Sequence, residues 1–463
     1  MAASGTLVHR LVDYALGLRY EEISEEAIRI AKWLVFDSIG TGLGGYQTER
    51  GRKAFAYVNA MMPGDQATVL GNGSRSTTEG AAFANGTMIK VLGMDDSHRG
   101  AGHIAAEVIP AVLATAEVYR TPGRTVIEAI VAAYDLAVRL GMAVRKEQRS
   151  RGLDLKGTLG PIAAALAAGR CAGLEGETLA NAVGIAADMA SGTEQYVYES
   201  GNCDTKDLIS GFAARNGVFA VQLAQAGFFG PDGAIDGEYG FLRAFGDGSG
   251  TELFDDLGSS FSIVSTAFKP HGGCRHTHQA VDAVQNILAT EELDPSDIDR
   301  VLVRTYRYAL QPSFRVDPNP GSREVAGLSI RVATAVALTR GSTWPADLVH
   351  WDDPDVRRLR QLVDIEVHPE IESKYPDGNG ASVEVYLRNG RQLEGSVPFA
   401  KGEPEFRMTE DELRTKFAAL TQDILPLDQG NALFEMCSDL EKAAIVSPIL
   451  ELTASKLPVG MNA

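Results

Sequence analysis

The chain has 463 residues, of which 44% are hydrophobic and 22% are charged. This length is sufficient for two or three globular units and a large buried core. The formal net charge of −18 argues against nucleic acid or an anionic membrane as a partner, because either would require a basic face. An anionic small molecule is compatible with this charge, since a few converging Arg and Lys side chains make a local positive pocket.

The cysteine content and the apolar stretches indicate where such a chain works. Its cysteines are far apart in sequence, which disfavours a disulfide framework or a zinc–thiolate site and fits a reducing cytoplasm. The N-terminus lacks a basic segment followed by an unbroken apolar run, so no signal peptide is expected. The most apolar stretch, residues 160–169, is far shorter than the ~20 residues of a membrane span. We therefore expect a soluble cytoplasmic protein.

Helical periodicity dominates the first part of the chain. Apolar residues recur at a helical spacing within residues 6–20, and Ser24 is a candidate N-cap for a second helix that glycines at 40, 42, 44 and 45 are expected to end. Further helices are predicted at 77–92, 104–119, 126–144, 160–171, 178–190 and 207–226. Almost nothing before residue 260 alternates with a period of two, so this part is predicted to be an all-helical body.

The pattern changes after residue 269. A strand is predicted within residues 297–308, a second at Val363–Val367, and a hairpin over 381–397 with Asn389-Gly390 at its turn. Helices are predicted at 276–291, 325–338, 409–424 and 431–446. The expected fold is mainly α, with a large helical domain (residues 1–266 and 401–463) and a smaller α+β lid domain (residues 267–400).

Two short stretches hold five of the eight histidines. In the first, residues 93–103, Asp95, Asp96 and Ser97 are placed to orient His98 or His103, or to bind a substrate hydroxyl. An imidazole exchanges protons near neutral pH, and a neighbouring carboxylate fixes its tautomer and raises its basicity. A metal site is the alternative reading, but the spacing of the two histidines matches no known zinc pattern.

The second stretch, residues 269–278, combines cations with imidazoles: Lys269, His271, Arg275, His276 and His278. Lys and Arg recognise carboxylates, and Arg often does so with two hydrogen bonds. Cys274 is a weaker candidate for a nucleophile, because no base with its own orienting partner can be identified in the sequence. We expect the two stretches to face each other across a cleft.

Smaller cationic segments lie between these stretches. Arg149 and Arg151 are interpreted as surface charges. Lys156 immediately precedes Gly157-Thr158 at the start of a predicted helix, which is a natural anion site. Lys206 lies in a polar segment just before the helix predicted at 207–226.

These motifs, in this order, resemble the MmgE/PrpD family over essentially the whole chain. The resemblance rests on Asp95-Asp-Ser-His98 with His103, and on the segments at 157–161, 205–211, 213–217, 227–231 and 269–278. Members of the family include 2-methylcitrate dehydratase, cis-aconitate decarboxylase and iminodisuccinate epimerase. The resemblance implies an active site between a helical domain and an α+β lid, usually a homodimer, and no metal or organic cofactor.

The resemblance also identifies site residues and several departures. Positions that fall on family motifs are Asp95, Asp96, Ser97, His103, Lys206, Lys269, Arg275 and His278. Asp154 stands where relatives often have a histidine, residues 206–209 lack an Arg and a His of the family pattern, and residues 326–332 lack a Lys and a Tyr but gain Arg331. The gained cations, Lys156 and Arg331, suggest a substrate with differently placed carboxylates.

The chemistry that the resemblance implies is proton transfer at a carbon next to a carboxylate. Our first hypothesis is a cofactor-independent lyase of the dehydratase type, acting on a small di- or tricarboxylate. His103 would be the acid/base and Asp96 its orienting group or a partner of a substrate hydroxyl, with Lys206, Lys269 and Arg275 as the carboxylate clamp. Further substrate contacts are expected from Asp95, Ser97, His98, Asp154, Lys156, His278 and Arg331.

Two other hypotheses remain at this point. An epimerase or racemase of an amino- or imino-dicarboxylate would use the same site, and the departures from the family pattern favour it. A non-catalytic binding protein is the third hypothesis, and the retained His103 and paired lysines argue against it.

Overall fold

The computed structural model describes residues 5–198, 203–311 and 313–455. The expected outer limits of the helical domain, residues 1 and 463, lie outside these ranges. Among the described helices, none combines the length and the apolar character that crossing a membrane requires.

Helices form most of the described structure and confirm the predicted mainly α fold class. The helices of the first part are α1 (Leu7–Gly17), α2 (Glu25–Tyr46), α3 (Glu49–Met61), α4 (Thr78–Val91), α5 (Ala105–Tyr119), α6 (Gly123–Ser150), α7 (Leu155–Cys171), α8 (Gly176–Asp188), α9 (Thr205–Gln225) and α10 (Phe241–Phe245). The later helices are α11 (Arg275–Leu288), α12 (Arg323–Ala326), α13 (Ile330–Arg340), α14 (Pro345–Leu348), α15 (Pro354–Leu362), α16 (Pro369–Lys374), α17 (Glu410–Thr421), α18 (Leu427–Ser438) and α19 (Ser447–Glu451).

The second helix shows how packing overrides a local signal. Ser24 caps α2 as predicted, because its hydroxyl accepts a hydrogen bond from the amide of Ala27. The prediction that the glycines end this helix is wrong, since α2 continues to Tyr46. The glycines permit close contact instead: a Cβ on Gly45 would lie 1.9 Å from the carbonyl oxygen of Met88 in α4. Tertiary contact therefore compensates for the poor helix propensity of glycine.

Helix α7 runs through the middle of the helical body. It packs against α5, α6, α8 and α9, and every residue from Lys156 to Cys171 is buried. Small side chains allow this crowding, as a Cβ on Gly217 of α9 would lie 2.5 Å from the Cβ of Ala164. The N-terminus of α7, which carries Asp154 as its cap, is thereby fixed against neighbouring helices.

A four-stranded sheet organises the α+β part. Its strands are β5 (Ile298–Thr305), β6 (Val363–Val367), β7 (Ala381–Leu387) and β8 (Gln392–Val397), in the order β6-β5-β7-β8. β5 is parallel to β6 and antiparallel to β7, while β7 and β8 form the predicted hairpin, with Gly390 at φ +85° in its turn. Helix α11 packs on β7 and β8, and α13 packs on α11.

The helix predicted at 325–338 is interrupted. Helix α12 ends at Ala326, and α13 begins at Ile330 with Ser329 as its cap. The intervening Gly327 accepts a hydrogen bond from the amide of Cys274 at 2.9 Å. This contact places the 327–329 turn against the 269–278 stretch, beside the candidate site.

Short strands that the sequence pattern does not reveal connect the two histidine stretches. The strand β3 (Ser97–His98) pairs antiparallel with β4 (Thr266–Ala267). A separate antiparallel pair is formed by β1 (Pro63–Thr68) and β2 (Arg75–Ser76). The first stretch is thus bonded to the segment that leads into Lys269. Helix α17 returns to the helical body and supports the same loop, because Lys416 donates to the carbonyl oxygen of Met94 at 2.7 Å.

Candidate active site

A cavity of about 730 Å³ is lined by residues of the helical body and of the α+β part. Eight of the residues predicted from sequence lie on its wall: Ser97, His98, His103, Asp154, Lys156, Lys206, Lys269 and Arg275. Asp95 lies directly behind the wall, in contact with His103 and Lys269. Asp96, His278 and Arg331 are not among the lining residues. The expected meeting of the two histidine stretches at a cleft is therefore observed.

The hydrogen bonds of His103 fix its tautomer. Nδ1 lies 2.6 Å from the backbone carbonyl oxygen of Asp96 and 3.1 Å from Oδ2 of Asp95. Both of these oxygens are acceptors, so Nδ1 carries the proton and Nε2 keeps its lone pair. Burial, together with the nearby ammonium groups of Lys269 and Lys90, lowers the pKa of His103 to about 3, against the opposing charge of Asp95. The imidazole is neutral at physiological pH, and its Nε2 is unprotonated.

The carboxylate of Asp95 is shared by two lysines. Oδ2 lies 2.8 Å from Nζ of Lys90, and Oδ1 lies 3.7 Å from Nζ of Lys269. Burial would raise the pKa of Asp95, but its contact with His103 and the charges of Lys90 and Lys269 outweigh it and hold that pKa well below its usual range. Asp95 thus remains ionised and holds both ammonium groups beside the imidazole.

Lys269 has an unusual protonation equilibrium. Its side chain is buried, and Nζ donates to the carbonyl oxygen of Gly93 at 3.0 Å. Burial lowers the pKa of Lys269 to about 7, against the opposing attraction of Asp95. Lys269 can therefore act as a cation or as a proton donor near neutral pH.

The carboxylate of Asp96 has different hydrogen-bond partners from the one predicted. Its Oδ1 accepts hydrogen bonds from the amides of Ile104 and Ala105 at the start of α5, and its Oδ2 accepts one from the hydroxyl of Tyr134. The prediction that this carboxylate orients His103 is wrong, because the backbone carbonyl of Asp96 and the carboxylate of Asp95 do so. Burial and the charge of Asp95 raise the pKa of Asp96 to about 6.

Asp95, Asp96 and His103 also offer donor atoms within 4.8 Å of one another. This is a spacing that a metal ion could use. The oxygens of Asp95 already face two ammonium groups, and those of Asp96 already accept hydrogen bonds from the protein. The carboxylates of this set are thus already engaged by protein groups.

His98 is held by the main chain through both ring nitrogens. Its Nε2 lies 3.1 Å from the carbonyl oxygen of Ser262, and its Nδ1 accepts a hydrogen bond from the amide of Gly100 at 3.0 Å. Burial lowers the pKa of His98 to about 4. Although it borders the cleft, His98 has no ring nitrogen left for a ligand and fixes the loop instead of binding substrate.

Arg275 is already paired with a protein carboxylate. One guanidinium nitrogen contacts Glu403, and another donates to Oγ of Ser97 at 3.4 Å. Arg99 shares the same partner at 3.2 Å and also contacts Glu405 at 2.8 Å. These ion pairs link the 97–103 loop to residues 403–405. Arg275 is therefore largely neutralised, and its predicted role as a free carboxylate clamp is weakened.

Asp154 and Lys156 form a buried group with Tyr196. Nζ of Lys156 lies 2.6 Å from Oδ2 of Asp154, and the hydroxyl of Tyr196 donates to that same oxygen at 2.9 Å. Burial would lower the pKa of Lys156, but Asp154 and Tyr196 outweigh it and hold that pKa well above the ordinary value. The group lines the cleft and presents a permanently protonated ammonium beside a phenol.

The remaining predicted residues divide between the cleft and the interior. Lys206, in the first turn of α9, lines the cleft and lies 3.7 Å from Oδ1 of Asp207. His278 is buried in α11 with its ring 5.2 Å from that of His271. Arg331 donates to the carbonyl oxygens of Val316 and Val363 within the α+β part. Neither His278 nor Arg331 lines the cleft in this structure, and their contact with substrate stays a prediction.

Several residues of the cleft were missed in the sequence. They include Lys90, Tyr196, Tyr308 and Arg315. Arg149 is exposed, as expected of a surface charge, and it also lines the cleft. One local signal could have identified Lys90, since it lies in a predicted helix that is rich in small residues, and the structure shows that most of this helix is buried. The others come from segments that only the tertiary structure brings together.

The chain matches known proteins over nearly all of its length. The sequence model of the MmgE/PrpD N-terminal domain matches residues 9–253, and that of the MmgE/PrpD C-terminal domain matches residues 271–441. The chain is 27% identical to the cis-aconitate decarboxylase-like protein oryM of Aspergillus oryzae, covering 98% of each chain. It is 26% identical to the cis-aconitate decarboxylase of Aspergillus terreus (97% of this chain, 96% of that one) and 26% identical to that of Homo sapiens (94% and 92%). Because the two family domains account for most of the sequence in the expected order, the chain is an enzyme of the MmgE/PrpD family.

Proposed function

We propose that this enzyme is a lyase that removes a proton from the carbon next to a carboxylate of a small di- or tricarboxylate. The observation that carries the proposal is the neutral His103, whose Nδ1 is bonded to the protein and whose Nε2 is left unprotonated, beside the ammonium groups of Lys90 and Lys269. The similarity to cis-aconitate decarboxylases supports a tricarboxylate as the substrate.

The proposed reaction begins at Nε2 of His103. As this nitrogen takes the proton, the electrons of the C–H bond move into the adjacent carboxylate, which becomes a doubly charged aci-carboxylate. Positive groups nearby stabilise this charge, and Lys269 and Lys206 both line the cleft. The electrons then return to form a double bond and expel a hydroxide, which an acid protonates, so the leaving group departs as water. Lys269, with its pKa lowered to about 7 by burial, is a suitable acid.

The test is proton exchange with solvent. Purified enzyme is incubated in D2O with a panel of carboxylates that includes cis-aconitate, citrate and malate, and the products are followed by NMR. A new alkene signal, or loss of a carboxyl group as carbon dioxide, identifies the lyase and its type. Absence of any exchange over the panel, with His103→Ala indistinguishable from the native enzyme, would overturn the proposal.

The second candidate function is epimerisation of an amino- or imino-dicarboxylate at the same site. It is favoured by the Asp154–Lys156–Tyr196 group, because inversion needs a second proton-bearing group besides His103. In the same D2O experiment, an epimerase incorporates deuterium at the α-carbon and inverts the configuration without forming an alkene. Tyr196→Phe would then slow inversion more than it slows deuterium uptake, whereas in a lyase it would affect neither step selectively.

We also propose that the enzyme is a homodimer, on the resemblance to its family. Light scattering of the purified chain measures the molar mass directly. A value near twice the 49.4 kDa of one chain supports the proposal, and a value near that of one chain contradicts it.

A further inference from the structure

Two guanidinium groups lie on one phenol ring in the wall of the cleft. The central carbon of Arg149, in the last turn of α6, is 4.0 Å from the centre of the Tyr308 ring, and that of Arg315 is 5.8 Å from it. All three residues line the cleft that also holds His103. Arginine stacked on an aromatic ring is held in a defined orientation and still presents N–H donors at its edge.

Neither guanidinium has a carboxylate partner among the described residues. Arg315 is only 8% exposed; its Nη1 donates to the carbonyl oxygen of Tyr308 at 3.2 Å, and its Nε is buried without a partner. Two other arginines of the same wall are paired, since Arg99 and Arg275 both contact Glu403. Arg315 is a buried cation, which is costly without a counter-ion unless a ligand supplies the charge, whereas Arg149 is exposed.

The two arginines also repel each other. Partial desolvation of the exposed Arg149 lowers its pKa, and the charge of Arg315 adds to this effect against the opposing charge of Glu194. Glu194 lines the same cleft, but it forms no ion pair within 4.0 Å of either arginine in the described part of the chain. An oxyanion bound between the two guanidinium groups would relieve this repulsion and satisfy the free N–H donors.

Aromatic stacking holds this arrangement in place. Tyr375 stacks on both Tyr308 and Tyr306, with ring centres 5.3 and 4.5 Å apart, and the ring of His276 lies 5.1 Å from Tyr308. The ring that orients the guanidinium groups is therefore fixed before any ligand arrives. Such preorganisation favours specific binding, because little side-chain freedom remains to be lost.

We propose that Arg149 and Arg315 form a second anion subsite, which binds an oxyanion group of the substrate other than the carboxylate beside the reacting carbon. The shared chemistry is that of a carboxylate or a phosphate bound by two guanidinium groups. The inference rests on the proposed function, in which Lys206 and Lys269 take the carboxylate that reacts. It assigns selectivity for the distal end of the substrate to residues outside the family motifs seen in the sequence.

The test is calorimetric titration with two probes, tricarballylate and inorganic phosphate. Arg149→Gln and Arg315→Gln should each weaken binding of at least one probe by about tenfold or more, as expected for a lost charged hydrogen bond. Loss of tricarballylate binding alone identifies a carboxylate subsite, and loss of phosphate binding alone identifies a phosphate subsite. Binding of both probes within threefold of the native affinity in both variants would overturn the proposal.

Arg145→Gln is the matched control. Arg145 lies one turn earlier on α6, lines the same cleft, and donates to the carbonyl oxygen of Arg99 at 2.6 Å. The Arg145→Gln variant loses the same charge from the same helix, and its affinity for both probes should stay within threefold of that of the native enzyme. An equal loss in Arg145→Gln would show a general effect of cleft charge and would contradict the subsite.

Further measurements separate this inference from the proposed function and from misfolding. Arg149→Lys keeps the charge but not the planar fork, so it should recover part of the affinity that Arg149→Gln loses. This comparison tests the subsite even if Arg315→Gln unfolds the protein. With a turning-over substrate, Arg149→Gln should raise KM about tenfold, whereas His103→Gln should lower kcat. If His103→Gln retains full activity, the proposed function fails while the titration result still decides the subsite.

Discussion

The imidazole of His103 and the carboxylate of Asp95 are joined at 3.1 Å, and the same carboxylate oxygen lies 2.8 Å from Nζ of Lys90. One buried anion therefore orients the candidate base and neutralises a candidate cation at once. The contact lowers the pKa of Asp95 and opposes the fall that burial causes in the pKa of His103. It also ties the protonation of the site to the stability of the fold.

Substitution of His103 should mainly affect the reaction rate, whereas substitution of His98 should mainly affect stability. His103→Gln removes the free Nε2 and should lower the rate of substrate proton exchange by about 10²- to 10⁴-fold. His98→Gln removes a ring whose nitrogens both bond to the main chain, so it should lower the melting temperature and keep the exchange rate within about threefold. Deuterium incorporation followed by NMR measures both. A comparable rate loss in the two variants would contradict the assignment of roles.

The protonation of Lys269 should affect activity and stability in opposite directions as pH rises. Its pKa is lowered to about 7 by burial in the folded enzyme, whereas an unfolded chain keeps an ordinary lysine near 10.4. Above about pH 7 the ammonium is lost, so kcat/KM should fall. Between about pH 7 and 10.4 the unfolded chain binds the proton that the folded chain has released, so this group makes stability rise with pH.

Urea unfolding at pH 7, 8 and 9 measures that contribution. The native enzyme should gain up to ~1.4 kcal/mol per pH unit relative to Lys269→Met, which cannot titrate at this position. Groups that do not interact with Lys269 contribute equally to both proteins and cancel in the difference. Parallel stability curves for the two proteins would show that Lys269 has an ordinary pKa in the folded state.

The buried pair of Asp154 and Lys156 should behave as one unit. Lys156→Met leaves the carboxylate of Asp154 buried with Tyr196 as its remaining side-chain partner, and it should cost about 3–5 kcal/mol of unfolding free energy. Combining it with Asp154→Asn removes the stranded charge and keeps a side-chain oxygen to cap α7. The double variant should therefore be more stable than Lys156→Met alone. Chemical denaturation of the native enzyme, the two single variants and the double variant measures the coupling energy between the two residues. If the free-energy changes of the single variants simply add up in the double variant, the two residues do not act as one unit.

Two glycines provide a matched test of the packing in the helical body. Gly45→Ala places a methyl group 1.9 Å from the carbonyl oxygen of Met88, and it should destabilise the fold by about 3 kcal/mol. Gly17, the last residue of α1, has nothing within 4 Å of the same position. Gly17→Ala should therefore stabilise the protein by about 0.5–1 kcal/mol. Thermal and urea unfolding would show the sign of each change, and destabilisation of equal size in both would contradict the packing argument.

Local patterns predicted most secondary-structure elements closely. The helix expected at 77–92 is observed at Thr78–Val91, and the strand expected at Val363–Val367 has those bounds. The hairpin turn at Asn389-Gly390 is also as predicted. These elements are set by capping residues, periodicity and turn chemistry, which act within a few residues of one another. The end of α2 was predicted wrongly, because its glycines serve to permit close contact with α4, which is distant in sequence.

The sequence by itself determined the mainly α class, the two histidine stretches and their meeting at a cleft. It could not determine which side chains point into that cleft, because hydrogen bonds and ion pairs between distant segments decide this. Only the tertiary structure shows that Lys90 pairs with Asp95, that Arg275 pairs with Glu403, and that His278 and Arg331 do not line the cleft. It likewise leaves Arg149 and Arg315 without carboxylate partners among the described residues, around the ring of Tyr308. The physical reason is that charge pairing in a buried wall depends on positions in space, whereas the sequence pattern records only spacing along the chain.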